Sequence, residues 1–330
     1  MQEKLHYKDV VLNNPKYSDV ESRDNLNIEV KLGERTFYSP AISANMRTAI
    51  SFELAEQLAE NGYFYILHRF YEYDQILDWL AKKNYQFYKS ISVGVKGKDY
   101  QLINDIARLG LKVEYITVDI AHGHSLSMKN MINHICKQLG NKVFIIAGNA
   151  CTPEACQDFY KWGADCVKIG LSCGKSCQTY NATGVGSPMF STVLKCAESS
   201  YIPIIADGGI REVGDVCKAL VAGATMVMIG SEFVKCIDSP AEGLFDDKIV
   251  NGVYHSGKLT HKKYYGSASS KNKGNDRYVE GWDEVILPCN GIKYLDYYQK
   301  IHDGVVSCMS YHNLRDVSHM NTIEWSKHIV

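Results

Sequence analysis

Eight short runs of β-branched and aromatic residues recur along this chain at a spacing of roughly 25 residues, and no other feature of the sequence restricts the fold as strongly. They begin near Tyr38 (YSPAISANM), Tyr63 (YFYILHR), Tyr88 (YKSISVGV), Val113 (VEYITVDIA), Lys142 (KVFIIAGN), Cys166 (CVKIGL), Ile202 (IPIIADGG) and Met226 (MVMIGSEF). Between them lie segments of helical apolar spacing: SFELAEQLAENG from Ser51, DYQLINDIARLG from Asp99, SMKNMINHICKQLG from Ser127, PEACQDFYKWGA from Pro153 and EVGDVCKALVAGA from Glu212. Several close on a glycine just past the last apolar turn, the usual helix stop. Nearly continuous apolar strands that alternate with helices predict a parallel sheet covered by helices. Eight such units in 330 residues predict an α/β fold, a single (β/α)8 TIM barrel spanning 1–330, with a doubly wound sheet as the alternative.

In such a barrel the functional face is built from the loops that follow the strands. Polar and glycine-rich residues cluster at those points: 45–48, His68 and Arg69, Asp119 with His122 and Gly123, Gly148 with Asn149, 174–179, 207–209, and Gly230 with Ser231. Any one of these would pass for an ordinary turn. Seven on one face indicate a site. The segment 239–290 breaks the period, carries no clear amphipathic run and is rich in Gly, Ser, Lys and Tyr, so an irregular flap inserted after the last strand is expected there. Helical character returns in YLDYYQKIHDGVVSCMSY.

Composition excludes several classes of function. A net charge of −1 gives no polyanion-binding signature, so nucleic acid is not an expected partner. The start, MQEKLHYKDVVLNN, holds no apolar run long enough for a signal or membrane helix. The eleven cysteines are scattered without paired CxxC spacing and read as reduced thiols of a cytoplasmic protein.

One cysteine stands apart. In CVKIGLSCGKSCQTYNATG the apolar strand at Val167 and Ile169 runs into a loop of small residues that carries Cys177 beside Lys175. A cation and free backbone amides favour the deprotonated, nucleophilic form of a thiol. The bland alternative is one more half-buried thiol. On the same face, ADGGI from Ala206 and MIGS from Met228 end the last two strands, where barrels commonly hold a phosphate on backbone amides. Gly209, Gly230 and Ser231 would supply donors, and Asp207 would accept from vicinal ribose hydroxyls. Together these describe a nucleoside monophosphate with its base near a thiolate.

With the cysteine loop, IIADGGI with GDVCKAL, GATMVMIGS, YYGSAS and VEG, the chain resembles the IMP dehydrogenase/GMP reductase family from about Tyr7 to Trp325. ANMRT, YFYILHRF, SISVGV and YITVDIAHGHS are most similar to its bacterial GMP reductase branch. The resemblance implies a usually tetrameric barrel that binds GMP or IMP and NADPH. It implies Cys177 as the nucleophile at purine C2, and Thr179 with Glu280 as the pair that moves protons while ammonia leaves. Asp207 would hold the ribose, Gly209, Gly230, Ser231 and Tyr264 the phosphate, and Ser267, Ala268, Arg277 and Gly281 the base. His68, Arg69, Asp119, Ala121 and Asn149 would meet the cofactor, and the main-chain carbonyls of Ser172, Gly174 and Cys177 a potassium ion.

The chain departs from the family pattern in places. GLSCG stands where GIGPG is usual, Lys175 replaces a serine, and the segment from Ala241 to His261 is longer than its counterparts. Two readings therefore stand beside GMP reduction: an IMP dehydrogenase without CBS domains, to which the Arg277–Tyr278 pair would belong, and a catalytically silent nucleotide-binding barrel. Glu280 follows Tyr278 after one residue, which leaves no room for a hydrolytic flap and favours the reductase.

Overall fold

A computed structural model of the chain describes residues 4–328 apart from 16, 83–86, 173, 251–252 and 275–276. Seven parallel strands form one curled sheet: β1 (Ala41–Ser43), β2 (Ser90–Val93), β3 (Tyr115–Asp119), β4 (Phe144–Ala150), β5 (Cys166–Ile169), β6 (Ile204–Asp207) and β7 (Met226–Ile229). Their order is β1-β7-β6-β5-β4-β3-β2, so the first strand pairs with the last, with Val227 opposite Ala41. That is the connectivity of the expected barrel.

The eighth run is present in a different form. Residues 64–67 are buried between β1 and β2, but only Leu67 bridges to Ile91, its N–H donating to the Ser90 carbonyl at 3.1 Å. Tyrosine hydroxyls take up part of the remaining ladder. The Tyr65 N–H donates to the Tyr88 hydroxyl at 3.1 Å, and the Tyr65 hydroxyl donates to the Tyr88 carbonyl at 3.0 Å. An aromatic-rich run can thus satisfy its buried amides without a strand partner.

The helices cover the outside: α1 (Phe52–Glu60), α2 (Tyr73–Ala81), α3 (Gly97–Leu109), α4 (Leu126–Leu139), α5 (Pro153–Trp162), α6 (Met189–Ser199), α7 (Val213–Val221) and α8 (Tyr294–Tyr311). Their ends follow local chemistry. Ser51 caps α1 by accepting from the Leu54 N–H, and buried Leu54, Ala55, Leu58 and Ala59 make one inward stripe. Pro153 opens α5 and left-handed Gly163 closes it. Helices α2 and α6 went unnoticed in the sequence. A hairpin of Val30–Leu32 and Arg35–Phe37 closes the end of the barrel opposite the site, where the Leu32 carbonyl accepts from the buried Tyr115 hydroxyl. No helix among the described residues is long and apolar enough to cross a membrane.

The segment after β7 is more regular than expected. Within it β8 (Gly243–Phe245), β9 (Leu259–Tyr264) and β10 (Val285–Pro288) form a three-stranded antiparallel sheet. The polar sequence LTHKKY hides β9 because Lys262 points inward: it is buried, and its ammonium donates to the carbonyls of Ile237, Ser239 and Ala241 at 3.0–3.2 Å.

Candidate active site

The strand ends and the segment following β9 enclose a cavity of about 630 Å³, a size that suits a small-molecule ligand. Its lining includes every residue to which the resemblance gives a role except His68; of the strand-end clusters, His122, Gly123 and Gly148 also lie outside it. The His68 side chain is buried behind Arg69, stacked on Tyr71 with ring centroids 4.1 Å apart, and its Nδ1 accepts from the Phe70 N–H at 3.1 Å. Burial, with the Arg47 charge adding to it, pushes its imidazole down to about 3.

At one wall the Cys177 thiol donates to Thr179 Oγ1 at 3.2 Å, and the Thr179 hydroxyl donates to Glu280 Oε2 at 2.8 Å. Cys177 and Glu280 lie more than a hundred residues apart in sequence. Backbone bonds bring them together: the Gln178 N–H donates to the Glu280 carbonyl at 2.7 Å and the Trp282 N–H to the Ser176 carbonyl at 2.9 Å. The two strands of chain pass so closely that side chains are excluded. A Cβ on Gly266 would lie 2.7 Å from the Ser176 carbonyl oxygen, and one on Gly281 would lie 2.8 Å from the Ser269 nitrogen. These glycines are what the motifs YYGSAS and VEG supply.

One end of the cavity, where a phosphate is expected, is built from Gly209, in left-handed conformation at φ 83°, from Gly230 and Ser231 at the start of the turn after β7, and from Tyr264. Burial pushes the Tyr264 phenol up to about 12, and its hydroxyl donates to Met46 Sδ at 3.5 Å. Lys175 and Arg211 line the same region. Burial lowers the Lys175 ammonium, with further lowering from Lys235 and Arg211, as expected where cations converge.

Lys168 went unnoticed in the sequence. Its side chain is 2% exposed, and its ammonium bonds to Asp207 Oδ2 at 2.6 Å, Asp119 Oδ1 at 3.0 Å and the Asn149 side-chain oxygen. Asn149 Nδ2 in turn donates to Asp207 Oδ2 at 3.0 Å and to the Gly170 carbonyl at 2.7 Å. Burial would lower the ammonium, but the two aspartates outweigh it and raise it. Burial likewise works against the Asp119 carboxylate, yet Lys168 and Arg69 hold it below the usual carboxylate range. The available signal was a single lysine in the otherwise apolar strand CVKI. Gly148 on β4 leaves room for it, since a Cβ there would lie 2.6 Å from Lys168 Cβ.

On the far side from Cys177, Arg69 faces Asp119 at 3.8 Å, with its Nε buried and without a hydrogen-bond partner. Gly94, Val95 and Ala121 line the cavity beside it. The carbonyls of Ser172, Gly174 and Cys177, expected to meet a potassium ion, lie together in the cysteine turn. The Gly174 carbonyl accepts from the Cys177 N–H at 3.1 Å, which leaves it a second lone pair; Ser172 is left-handed at φ 64°, and Cys173 lies outside the described residues.

Known proteins resemble this chain over nearly its whole length. The model of the IMP dehydrogenase/GMP reductase domain matches residues 4–324. A GMP reductase of Mesoplasma florum is 42% identical over 307 residues, 92% of each chain. Those of Albidiferax ferrireducens and Helicobacter pylori are each 42% identical, over 96% and 97% of this chain and 94% of their own lengths. Strand order, cavity and the Cys177 loop agree with these matches, and the chain belongs to the IMP dehydrogenase/GMP reductase family.

Proposed function

We propose that this chain catalyses the NADPH-dependent reductive deamination of GMP to IMP and ammonia through a covalent intermediate on Cys177. The observation that carries the reading is the hydrogen-bonded row from Cys177 through Thr179 to Glu280; the relatives named GMP reductase support the same conclusion. Phosphate on Gly209, Gly230, Ser231 and Tyr264, and ribose on Asp207, would hold the purine edge against the thiol. Ser267, Ala268, Arg277 and Gly281 would face the base.

The chemistry then follows from charge and position. Cys177 adds to C2 as thiolate, and the exocyclic amine leaves as ammonia once protonated. Thr179, aligned by Glu280, carries that proton. Loss of the amine re-forms the ring C2=N double bond and leaves a thioimidate, with C2 singly bonded to the Cys177 sulfur and open to reduction. The nicotinamide cofactor, when bound, supplies the hydride that C2 accepts. Collapse of the reduced adduct breaks the carbon–sulfur bond and returns the thiolate with IMP. Arg69, Asp119, Ala121 and Asn149 would orient the nicotinamide. The exposed Lys96 and Lys98 at the cavity rim offer charge to an additional phosphate, which is the argument for NADPH over NADH. The reading also takes the chain as one catalytic barrel over 1–330 with a flap in 239–290, working as a cytoplasmic homotetramer.

The test is an assay with purified protein. GMP with NADPH should yield NADPH oxidation and ammonia in equal amounts. NADH formation from IMP and NAD would establish the dehydrogenase instead, and neither reaction would leave a silent nucleotide-binding barrel.

A further inference from the structure

The strand-end wall of the cavity contains two carboxylates and one buried cation. Lys168 reaches the cavity from the middle of β5, and both hydrogen bonds to Asp207 converge on Oδ2, from Lys168 at 2.6 Å and from Asn149 at 3.0 Å. Oδ1 has no partner among the described residues. On its other side the same ammonium meets Asp119 Oδ1 at 3.0 Å. A nearly fully buried lysine is tolerated only when its charge is matched and its donors are used. Here that match comes from one residue on the nucleotide side of the cavity and one on the cofactor side.

Resting on the reading of Asp207 as the ribose acceptor, we infer that Lys168 is a positioning residue that fixes Asp207 Oδ2 so that Oδ1 meets the nucleotide, and supplies the one positive charge that Asp207 and Asp119 share. Without the ammonium, two like charges would share a partly buried wall, and one carboxyl would take up a proton at mildly acidic pH. The other titratable groups facing the cluster are Arg69 beside Asp119, and Cys151 and Tyr264 beside Asp207. Neither the thiol nor the phenol carries the positive charge that Lys168 supplies.

The experiment is calorimetric titration of GMP, without cofactor, into wild type, Lys168→Met and the double variant Lys168→Met/Asp119→Asn between pH 5.5 and 8. Lys168→Met should bind GMP about 10–100-fold more weakly than wild type at pH 8, the scale of one charged hydrogen bond lost. That ratio should narrow as the pH falls, because a proton on the carboxylate pair then replaces the ammonium. The double variant should recover much of the affinity at pH 8, since one of the two like charges is gone. A role in packing alone would produce neither the pH dependence nor the rescue. If Lys168→Met does not fold, the double variant decides: affinity within about tenfold of wild type at pH 8 supports the inference, and a larger loss overturns it. Wild-type affinity in Lys168→Met, or a loss indifferent to both pH and Asp119→Asn, also overturns it. Failure of wild type to bind GMP would instead remove the nucleotide reading itself.

Discussion

The two walls of the cavity are built in different ways. The strand-end wall, with Asp119, Asn149, Lys168 and Asp207, stands on the parallel sheet, where register fixes each Cα and the side chains lock one another by charge. The wall that brings Glu280 comes from the segment between β9 and β10, held to the cysteine loop by a few backbone hydrogen bonds and by glycines that allow close approach. Its residues are also more exposed, Tyr278 reaching 85%. The first wall is part of the fold. The second is an attachment to it, so damage to the first should appear in stability and damage to the second in turnover.

The largest effect should come from cutting the proton row in the attached wall. Thr179→Ala and Glu280→Gln should each slow ammonia release from GMP by about 10²–10⁴-fold, the usual range for a positioned acid–base group, while the melting temperature stays near that of wild type. Rapid-quench measurement of ammonia together with a thermal melt checks both halves.

A glycine exchange sharpens the contrast. Gly281→Ala would press a methyl 2.8 Å from the Ser269 nitrogen, and the segment that carries Glu280 would have to shift; ammonia release should drop by about tenfold or more, with a smaller loss of stability than an exchange inside the sheet causes. Gly148→Ala would press a methyl 2.6 Å from Lys168 Cβ between two sheet strands that cannot separate. It should lower unfolding free energy by about 1–3 kcal/mol, read by denaturant titration. Equal stability losses in the two variants would erase the distinction between the walls.

The smallest effect is pH-dependent and belongs to the fold. His68 has an ordinary value of 6.5 when unfolded and about 3 in the folded protein. Because the folded value is depressed, folding is unburdened above pH 6.5 and loses stability as the pH falls from 6.5 towards 3, where only the unfolded chain binds the proton. The slope from this one group is at most about 1.4 kcal/mol per pH unit. His68→Gln should flatten the decline in unfolding free energy between pH 6.5 and 4.5 relative to wild type. An unchanged slope would mean that the imidazole is less enclosed than its packing against Tyr71 indicates.

Much of this architecture was legible because barrels repeat. Seven of the eight apolar runs became strands with polar residues at their C-terminal ends, and those ends line the cavity. The run at 64–67 did not, because tyrosine hydroxyls answer its amides, and no pattern of apolar residues announces that substitution. Strand β9 was hidden for the reverse reason: Lys262 reads as surface although its ammonium is enclosed by three carbonyls. Lys168 belongs to the same class. A buried lysine is recognisable only once its two aspartates, each remote in sequence, are seen to converge on it, whereas Cys177, in a glycine-rich loop after a strand, signals its position locally.

The central claim is that the purine becomes bonded to Cys177 on the way from GMP to IMP. Wild type quenched in acid during turnover of GMP and digested for mass spectrometry should carry a purine nucleotide adduct on the peptide containing Cys177 and on no other cysteine. Cys177→Ser should bind GMP, release no ammonia and carry no adduct. Ammonia released from GMP by Cys177→Ser, or an adduct located on another cysteine, would contradict the account.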